Sequence, residues 1–318
     1  MFREKSLIVV SVLLIILLAA ALAPVSAVFA QGPVDVCLNS TPRIAVISAF
    51  NAEFELLLSE AEIEGICVIG NVSYHIGTLR GNDVVMFLSG VSMVNATMTT
   101  ERAINYFNVE RIVFSGIAGG VNPDLHIGDV VVPIQYGEYL ESYFAREVNG
   151  VFTPPPYWTP EFPNYGMIFP SSVGVIDLAA EPDSYLDQFW FPADAEMFAV
   201  AQRLIVDLEQ CTPEQVCLTQ APVLVVGGNG VSGQSFVDNA EFRTYVWDTF
   251  GANVLEMETA AVAHVAQSHA IPYLAFRSLS DLAGGGPGEN EIRTFFQLAA
   301  DNSARVLLTF LEEWAKTH

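Results

Sequence analysis

The feature that most limits how this chain can fold is a repeated unit, an apolar run that ends in a carboxylate. Val254-Leu255-Glu256-Met257-Glu258 and Phe276-Arg277-Ser278-Leu279-Ser280-Asp281 stand one helix apart in the last third of the sequence. A third run, Ile44-Ala45-Val46-Ile47-Ser48, is closely followed by Glu53. Short apolar runs alternating with helical periodicity specify a layered α/β fold. In open α/β sheets the strand ends form the ligand crevice. Three acids at three strand ends therefore predict one acid/base pocket built from Glu53, Glu258 and Asp281.

The rest of the chain follows the same alternation. Strands are expected over 43–48, 72–79, 83–89, 111–117, 128–134, 223–229 and 271–278. Helices are expected over 52–62, 93–107, 194–208, 238–249, 257–268 and 289–315. The fold class that results is a three-layer α/β/α domain around a central mixed, twisted sheet, spanning residues 31–318. The segment 138–192 breaks the pattern with Pro154-Pro155-Pro156 and with Tyr157, Trp158, Phe162, Phe189 and Trp190. So many aromatic residues argue against disorder. The segment reads as an ordered insertion packed on the domain and rimming the pocket or an interface.

The first residues, Met1-Phe2-Arg3-Glu4-Lys5, precede an apolar run from Leu7 to Ala23 and small residues up to Ala30. That order describes a secretory signal peptide over 1–30, or a membrane anchor if it is left uncleaved. The expected location is secreted or extracytoplasmic, in the periplasm or at the cell surface. Four cysteines, Cys37, Cys67, Cys211 and Cys217, suit disulfides in an exported chain. Cys211–Cys217 reads as a local clip, and Cys37–Cys67 would tie the N-terminal side to the body. The five histidines are scattered and no Cys/His ligand spacing occurs. No metal and no cofactor is expected. The formal net charge of −23 repels polyanions, which argues against nucleic acid and anionic membranes as partners.

The order of motifs carries more than any one of them. Ser48-Ala49-Phe50-Asn51-Ala52-Glu53 is followed by Ser89-Gly90-Val91, Gly116-Ile117-Ala118-Gly119-Gly120 and Ile127-Gly128-Asp129-Val130-Val131. Val231-Ser232-Gly233-Gln234-Ser235-Phe236-Val237, Glu256-Met257-Glu258 and Ser278-Leu279-Ser280-Asp281 complete the series. This series resembles the purine nucleoside phosphorylase/uridine phosphorylase superfamily, and within it the 5′-methylthioadenosine/S-adenosylhomocysteine nucleosidases. The resemblance covers residues 43–315 apart from the insertion.

The resemblance implies a set of roles. Asp281 takes the position of the acid that protonates the purine, with Ser280 orienting it. Glu53 takes the position that activates the attacking water. Glu258 would accept both ribose hydroxyls and Met257 would pack beneath the sugar. Phe236 would stack on the base, the backbone of Val237 would read its edge, and Ser89, Ile117 and Ala118 would complete the substrate wall. Taken singly, Glu53 reads as a helix-dipole partner, Asp281 as a cap or turn residue and Phe236 as core.

Phosphorylases of this superfamily hold phosphate with arginines, since guanidinium matches its oxygens. The corresponding segments here, 49–56 and 86–97, contain no Arg or Lys, and Arg102 should face away. Hydrolysis of an adenine nucleoside, such as adenosine or methylthioadenosine, is the expected activity. The alternatives are a non-catalytic nucleoside-binding or storage protein, and a phosphorylase with an unusual phosphate site. Phe50-Asn51-Ala52 and Gly284-Gly285-Gly286-Pro287-Gly288 depart from the nucleosidase pattern and leave the 5′-substituent open. The resemblance also implies a homo-oligomer, a dimer or higher.

Overall fold

The structure, a computed structural model, describes Cys37 and residues 40–318. The segment read as a signal peptide lies outside the described residues. In chain order the first elements are β1 (Arg43–Ser48), α1 (Asn51–Ser59), β2 (Glu62–Ile69), β3 (Val72–Leu79) and β4 (Asn82–Leu88). Then come α2 (Met93–Tyr106), β5 (Val109–Gly120), β6 (Val130–Val132) and β7 (Gln135–Glu138). Six short strands follow in the Pro/aromatic segment: β8 (Ser142–Phe144), β9 (Arg146–Val148), β10 (Val151–Thr153), β11 (Ile168–Pro170), β12 (Val173–Ile176) and β13 (Tyr185–Gln188). After them stand β14 (Trp190–Pro192), α3 (Ala195–Ala201), β15 (Leu224–Val226), β16 (Asn229–Ser232), α4 (Ala240–Phe250) and β17 (Ala252–Glu256). The last elements are α5 (Thr259–Ser268), β18 (Tyr273–Asp281) and α6 (Ile292–Ala315).

One mixed sheet organises the rest. Its strand order is β14-β7-β16-β17-β5-β1-β4-β3-β2, with β18 joining β5 and β6, and β15 joining β6. β1 lies parallel to both β4 and β5, and β18 lies parallel to β5. β17 meets β5 antiparallel, so two groups of strands with different directions share the long strand β5. Every residue of β1 is buried, as expected of a strand covered on both faces. Because side chains alternate along a strand, its residues divide between two cores. Ala45 and Ile47 pack with α2 and α5, while Ile44 and Val46 pack with α1, α3 and α6. The α/β/α layering expected from the alternation is thus the observed architecture.

Several boundaries differ from expectation for physical reasons. Residues 62–69 follow an expected helix end and lie outside the expected strands, but they form β2, a half-exposed strand at the sheet margin with Ile66 and Val68 facing outward. The helix expected over 194–208 stops at Ala201. The amide of Asn302 on α6 bonds both N and O of Glu209, at 2.8 and 2.9 Å, and takes up that backbone outside any helix. The single strand expected over 223–229 is two, β15 and β16, divided by Gly227 and Gly228, both with positive φ. Such dihedrals are open to glycine and break the ladder.

The insertion folds as the hairpins β9/β10 and β12/β13 and the antiparallel ribbon β8/β11, and returns to the main sheet where β14 pairs antiparallel with β7. Its aromatic residues pack on α4: Phe162 and Phe189 contact Phe250 at 5.1 and 5.3 Å, and Tyr165 contacts Phe242 at 4.9 Å. Both expected disulfides are present, Cys37–Cys67 and Cys211–Cys217. They close loops of very different size, with sequence separations of 30 and 6. Loop-closure entropy then assigns about 3–4 kcal/mol to the first and about 2 kcal/mol to the second. Thermal unfolding of the paired serine variants should show the larger loss of Tm for Cys37/Cys67; an equal loss would contradict this origin of the stabilisation.

Candidate active site

The ends of β1, β5, β17 and β18 and the starts of α1, α2 and α5 converge on one buried cluster of charge. Glu53 stands in the first turn of α1, yet its side chain turns inward and is buried. Its Oε2 accepts the Ala49 amide at 2.7 Å and its Oε1 accepts the Ile117 amide at 2.8 Å. One carboxylate thereby fixes the β1–α1 turn to the end region of β5. Burial pushes the Glu53 carboxyl up to about 7, against the opposing pull of Arg277 and the two amides.

Glu256 and Glu258 share the β17–α5 junction but face different partners. Glu256 accepts the amides of Glu258 and Thr259 at 2.8 and 3.0 Å, and also the Ser232 hydroxyl. It thus satisfies donors at the start of α5 that the helix itself leaves open. Glu258 accepts the Ser92 amide at 2.7 Å. Ser92 holds a φ of 77° to present that amide, a conformation that non-glycine residues seldom adopt. Burial raises the Glu258 carboxyl to about 8, with Arg277 opposing and the neighbouring Glu256 and Glu53 adding to the rise.

Arg277 holds these acids together from beneath. Its Nη2 lies 2.6 Å from Glu256 and 3.4 Å from Glu258, and its Nη1 lies 4.0 Å from Glu53. It also donates to Ile117 O at 3.0 Å and to Thr259 Oγ1 at 2.8 Å, and lies over the Phe114 ring at 4.3 Å. Burial by itself would lower its pKa; Glu256, Glu258 and Glu53 outweigh burial and raise it. Gly116 leaves the room this requires, since a Cβ there would collide with the Arg277 guanidinium and the Glu53 carboxylate.

Asp281 ends β18 on the other side of the pocket. Its Oδ2 accepts the Ser280 hydroxyl at 2.9 Å, and its Oδ1 accepts the Ala283 amide at 2.8 Å and the Asn290 amide at 3.4 Å. Burial raises its pKa, opposed by those three donors. The cavity between the acids measures about 160 Å³. Its walls include Glu53, Glu258, Ser280 and Asp281, with Met257 and Ile117. Ala118, Phe236 and Val237 complete the expected set. Phe236 is 57 % exposed at the mouth, so it is not a core residue.

Of the residues singled out from sequence, only Ser89 is absent from this wall. It is buried, donates to Gly90 O at 2.8 Å, and borders an adjoining groove instead. The insertion does not rim the pocket either, since no residue of 138–192 lines it. Sequence reasoning assigned no role to Arg277 or to the wall residues Phe50 and Phe296, whose rings stack at 5.1 Å. A lone arginine inside the apolar run of β18 was a readable signal. The Phe50–Phe296 pair had none, because only the packing of α6 on α1 brings it together.

The Phosphorylase superfamily pattern matches residues 43–312. The chain belongs to that superfamily. Among curated members, it is 27 % identical over 274 residues to the 5′-methylthioadenosine/S-adenosylhomocysteine nucleosidase of Bacillus cereus (strain G9842), covering 85 % of this chain and 99 % of that protein. It is 28 % identical over 277 residues to the nucleosidase of the same name from Bacillus cytotoxicus, with 85 % and 99 % covered. Among solved structures, the superfamily fold here is similar to Helicobacter pylori futalosine hydrolase, with a TM-score of 0.61 at 24 % identity over 86 % of this chain and 98 % of that one. A Helicobacter pylori 5′-methylthioadenosine/S-adenosylhomocysteine nucleosidase gives a TM-score of 0.62 at 23 % identity, covering 86 % and 100 %.

The raised carboxyls make stability depend on pH. Glu53 and Glu258 move from 4.5 to about 7 and about 8 on folding. Between those values the folded state binds more protons than the unfolded chain, so stability falls as pH rises. Their contribution is fully present below 4.5 and is lost once pH passes about 8. Tm measured across that window should decline, and Glu53→Gln with Glu258→Gln should flatten the decline. An unchanged slope in the double variant would refute this assignment.

Proposed function

We propose that this superfamily member is a nucleosidase that hydrolyses the N-glycosidic bond of an adenine nucleoside. The observation that carries the reading is the meeting of Glu53, Glu258 and Asp281 on one cavity whose wall, among the described residues, includes no Lys or Arg. Asp281 delivers a proton to the purine, which turns the base into a neutral leaving group. The glycosidic bond breaks towards an oxocarbenium-like ribosyl cation. Water adds at C1′ as Glu53 takes its proton, leaving free base and the ribosyl product. Glu258 accepts the ribose hydroxyls, Met257 supports the sugar, and Phe236 with the Val237 backbone holds the base.

Electrostatics supports water over phosphate as nucleophile. A phosphate dianion would approach two carboxyls, and the nearest guanidinium, Arg277, is buried and already committed to Glu256 and Glu258. Arg102 points elsewhere, with Nη1 3.4 Å from Ile69 O, and is absent from the pocket wall. Burial raises the Asp281 pKa, the direction that favours a general acid. A storage protein would have no use for such an acid, which is why catalysis is preferred over binding alone.

Export and self-association belong to the same proposal. The two disulfides support an oxidising compartment. Val94 and Met98, exposed one turn apart on α2, support a contact between copies. Among the described residues no helix is long and apolar enough to cross a membrane.

Asp281→Asn keeps shape and hydrogen bonding but removes the proton donor. Adenine release from adenosine and methylthioadenosine should fall by roughly 10²–10⁴-fold, with nucleoside binding retained. Wild-type turnover should be the same with and without inorganic phosphate. Undiminished turnover in the variant would remove Asp281 as the acid; ribose 1-phosphate as product would make the enzyme a phosphorylase.

A further inference from the structure

In the proposed orientation the base end of the cavity is built from two stretches of chain, and these touch each other behind the wall. One is the end of β18, which carries Asp281; the other is the run Phe236-Val237 beyond β16. The chain after Asp281 lies on the chain after Val237. The Asn239 amide donates to Ala283 O at 3.0 Å. Gly284 has a φ of 86°, and a Cβ there would collide with the backbone of Asp238 and Asn239, so glycine permits the approach.

A second tie between the stretches is made by a side chain. Asn290 stands just before α6 and is absent from the cavity wall. Its Oδ1 accepts the Ile292 amide at 3.0 Å. A backbone N–H can only donate, so this bond fixes which end of the side chain is the oxygen. The Nδ2 group then serves two carboxyls, Asp238 Oδ1 at 3.0 Å and Asp281 Oδ1 at 3.4 Å. One planar amide thereby joins the start of α6, the run proposed to hold the base and the proposed acid.

The distribution of bonds at Asp281 gives this contact a chemical meaning. Each carboxyl oxygen offers two lone-pair sites. Oδ1 takes two donors, the Ala283 and Asn290 amides, whereas Oδ2 takes one, the Ser280 hydroxyl. The open site is on Oδ2, and the acidic proton belongs there, because a proton on Oδ1 would have to displace a donor. When the proton passes to the purine, the Oδ2–H bond breaks and its electron pair stays on the carboxyl group. The same donors stabilise the carboxylate that results.

Resting on the nucleosidase reading of the site, we propose that Asn290 is a positioning residue whose amide, shared between Asp238 and Asp281, keeps Oδ1 filled and so holds the transferable proton on Oδ2, in one frame with the run that holds the base. Asn290 acts through Asp281 and lines no part of the cavity.

Asn290→Ser keeps an oxygen for the Ile292 amide but is too short to reach either carboxyl. Its kcat for adenine release from adenosine should fall by about tenfold, the weight of one hydrogen bond to a charged group. KM should change by less than about twofold, since the loss falls on proton transfer and not on nucleoside binding. Asp238→Ala removes the anchor of the amide and should give the same split, and the two changes together should cost no more than either. In the Asp281→Asn background there is no proton to place, so the Asn290→Ser loss should shrink below about twofold, whereas a residue serving the fold alone would cost the same in both backgrounds. Wild-type kcat in Asn290→Ser, or an undiminished loss in the Asp281→Asn background, overturns the role of Asn290 and leaves the nucleosidase reading standing. A wild-type protein that releases no adenine overturns that reading and this role together.

Discussion

Arg277 puts a guanidinium where water does not reach it, and the functional end of the molecule is arranged around that charge. An unpaired buried cation would be strongly destabilising. Glu256 compensates it directly, and Glu258 and Glu53 add further negative charge within 4.0 Å. Each acid also belongs to a separate element: Glu53 to α1, Glu256 to β17 and Glu258 to the start of α5. The ion cluster therefore acts as a joint that sets these elements in register at the end of β5. The same joint holds Glu53 and Glu258 on the cavity wall, so the interaction that organises the fold also orients the proposed catalytic groups.

The two sides of the cavity differ in electrostatic character. On the Arg277 side, three carboxyls compete for one cation, and proton uptake by Glu53 or Glu258 relieves the excess charge. On the Asp281 side, hydrogen bonds from Ser280 and Ala283 hold the carboxyl group, and among the described residues no cation pairs with it. An acid and a base with different environments can stand in opposite protonation states at one pH, which is what general acid and base catalysis of a single bond cleavage requires.

Much of this was legible in the primary structure. The unbroken apolar run Ile44-Ala45-Val46-Ile47 marked a buried strand, and its residues divide between two cores. Glu53, Glu258 and Asp281 were readable because each follows a strand. β2 was not, because apolar residues stand on both of its faces, Ile66 and Val68 outward and Cys67 inward, so neither period was clear. The place of Ser89 off the cavity wall was not legible, because a serine at a strand end looks the same whether its hydroxyl faces a cavity or, as here, the neighbouring Gly90 carbonyl.

The sequence by itself determined the layered α/β class, both cysteine pairings and the three acids at strand ends. These depend on periodicity and on local order along the chain, which folding preserves. Only the tertiary structure decided which charges pair, that Arg277 lies beneath the cavity and not on its wall, and that the insertion packs on α4 away from the mouth. It alone placed Phe50 against Phe296. Those features depend on distances between segments remote in sequence, fixed when β5 and β18 pair in register and α6 packs across α1, and no local pattern encodes them.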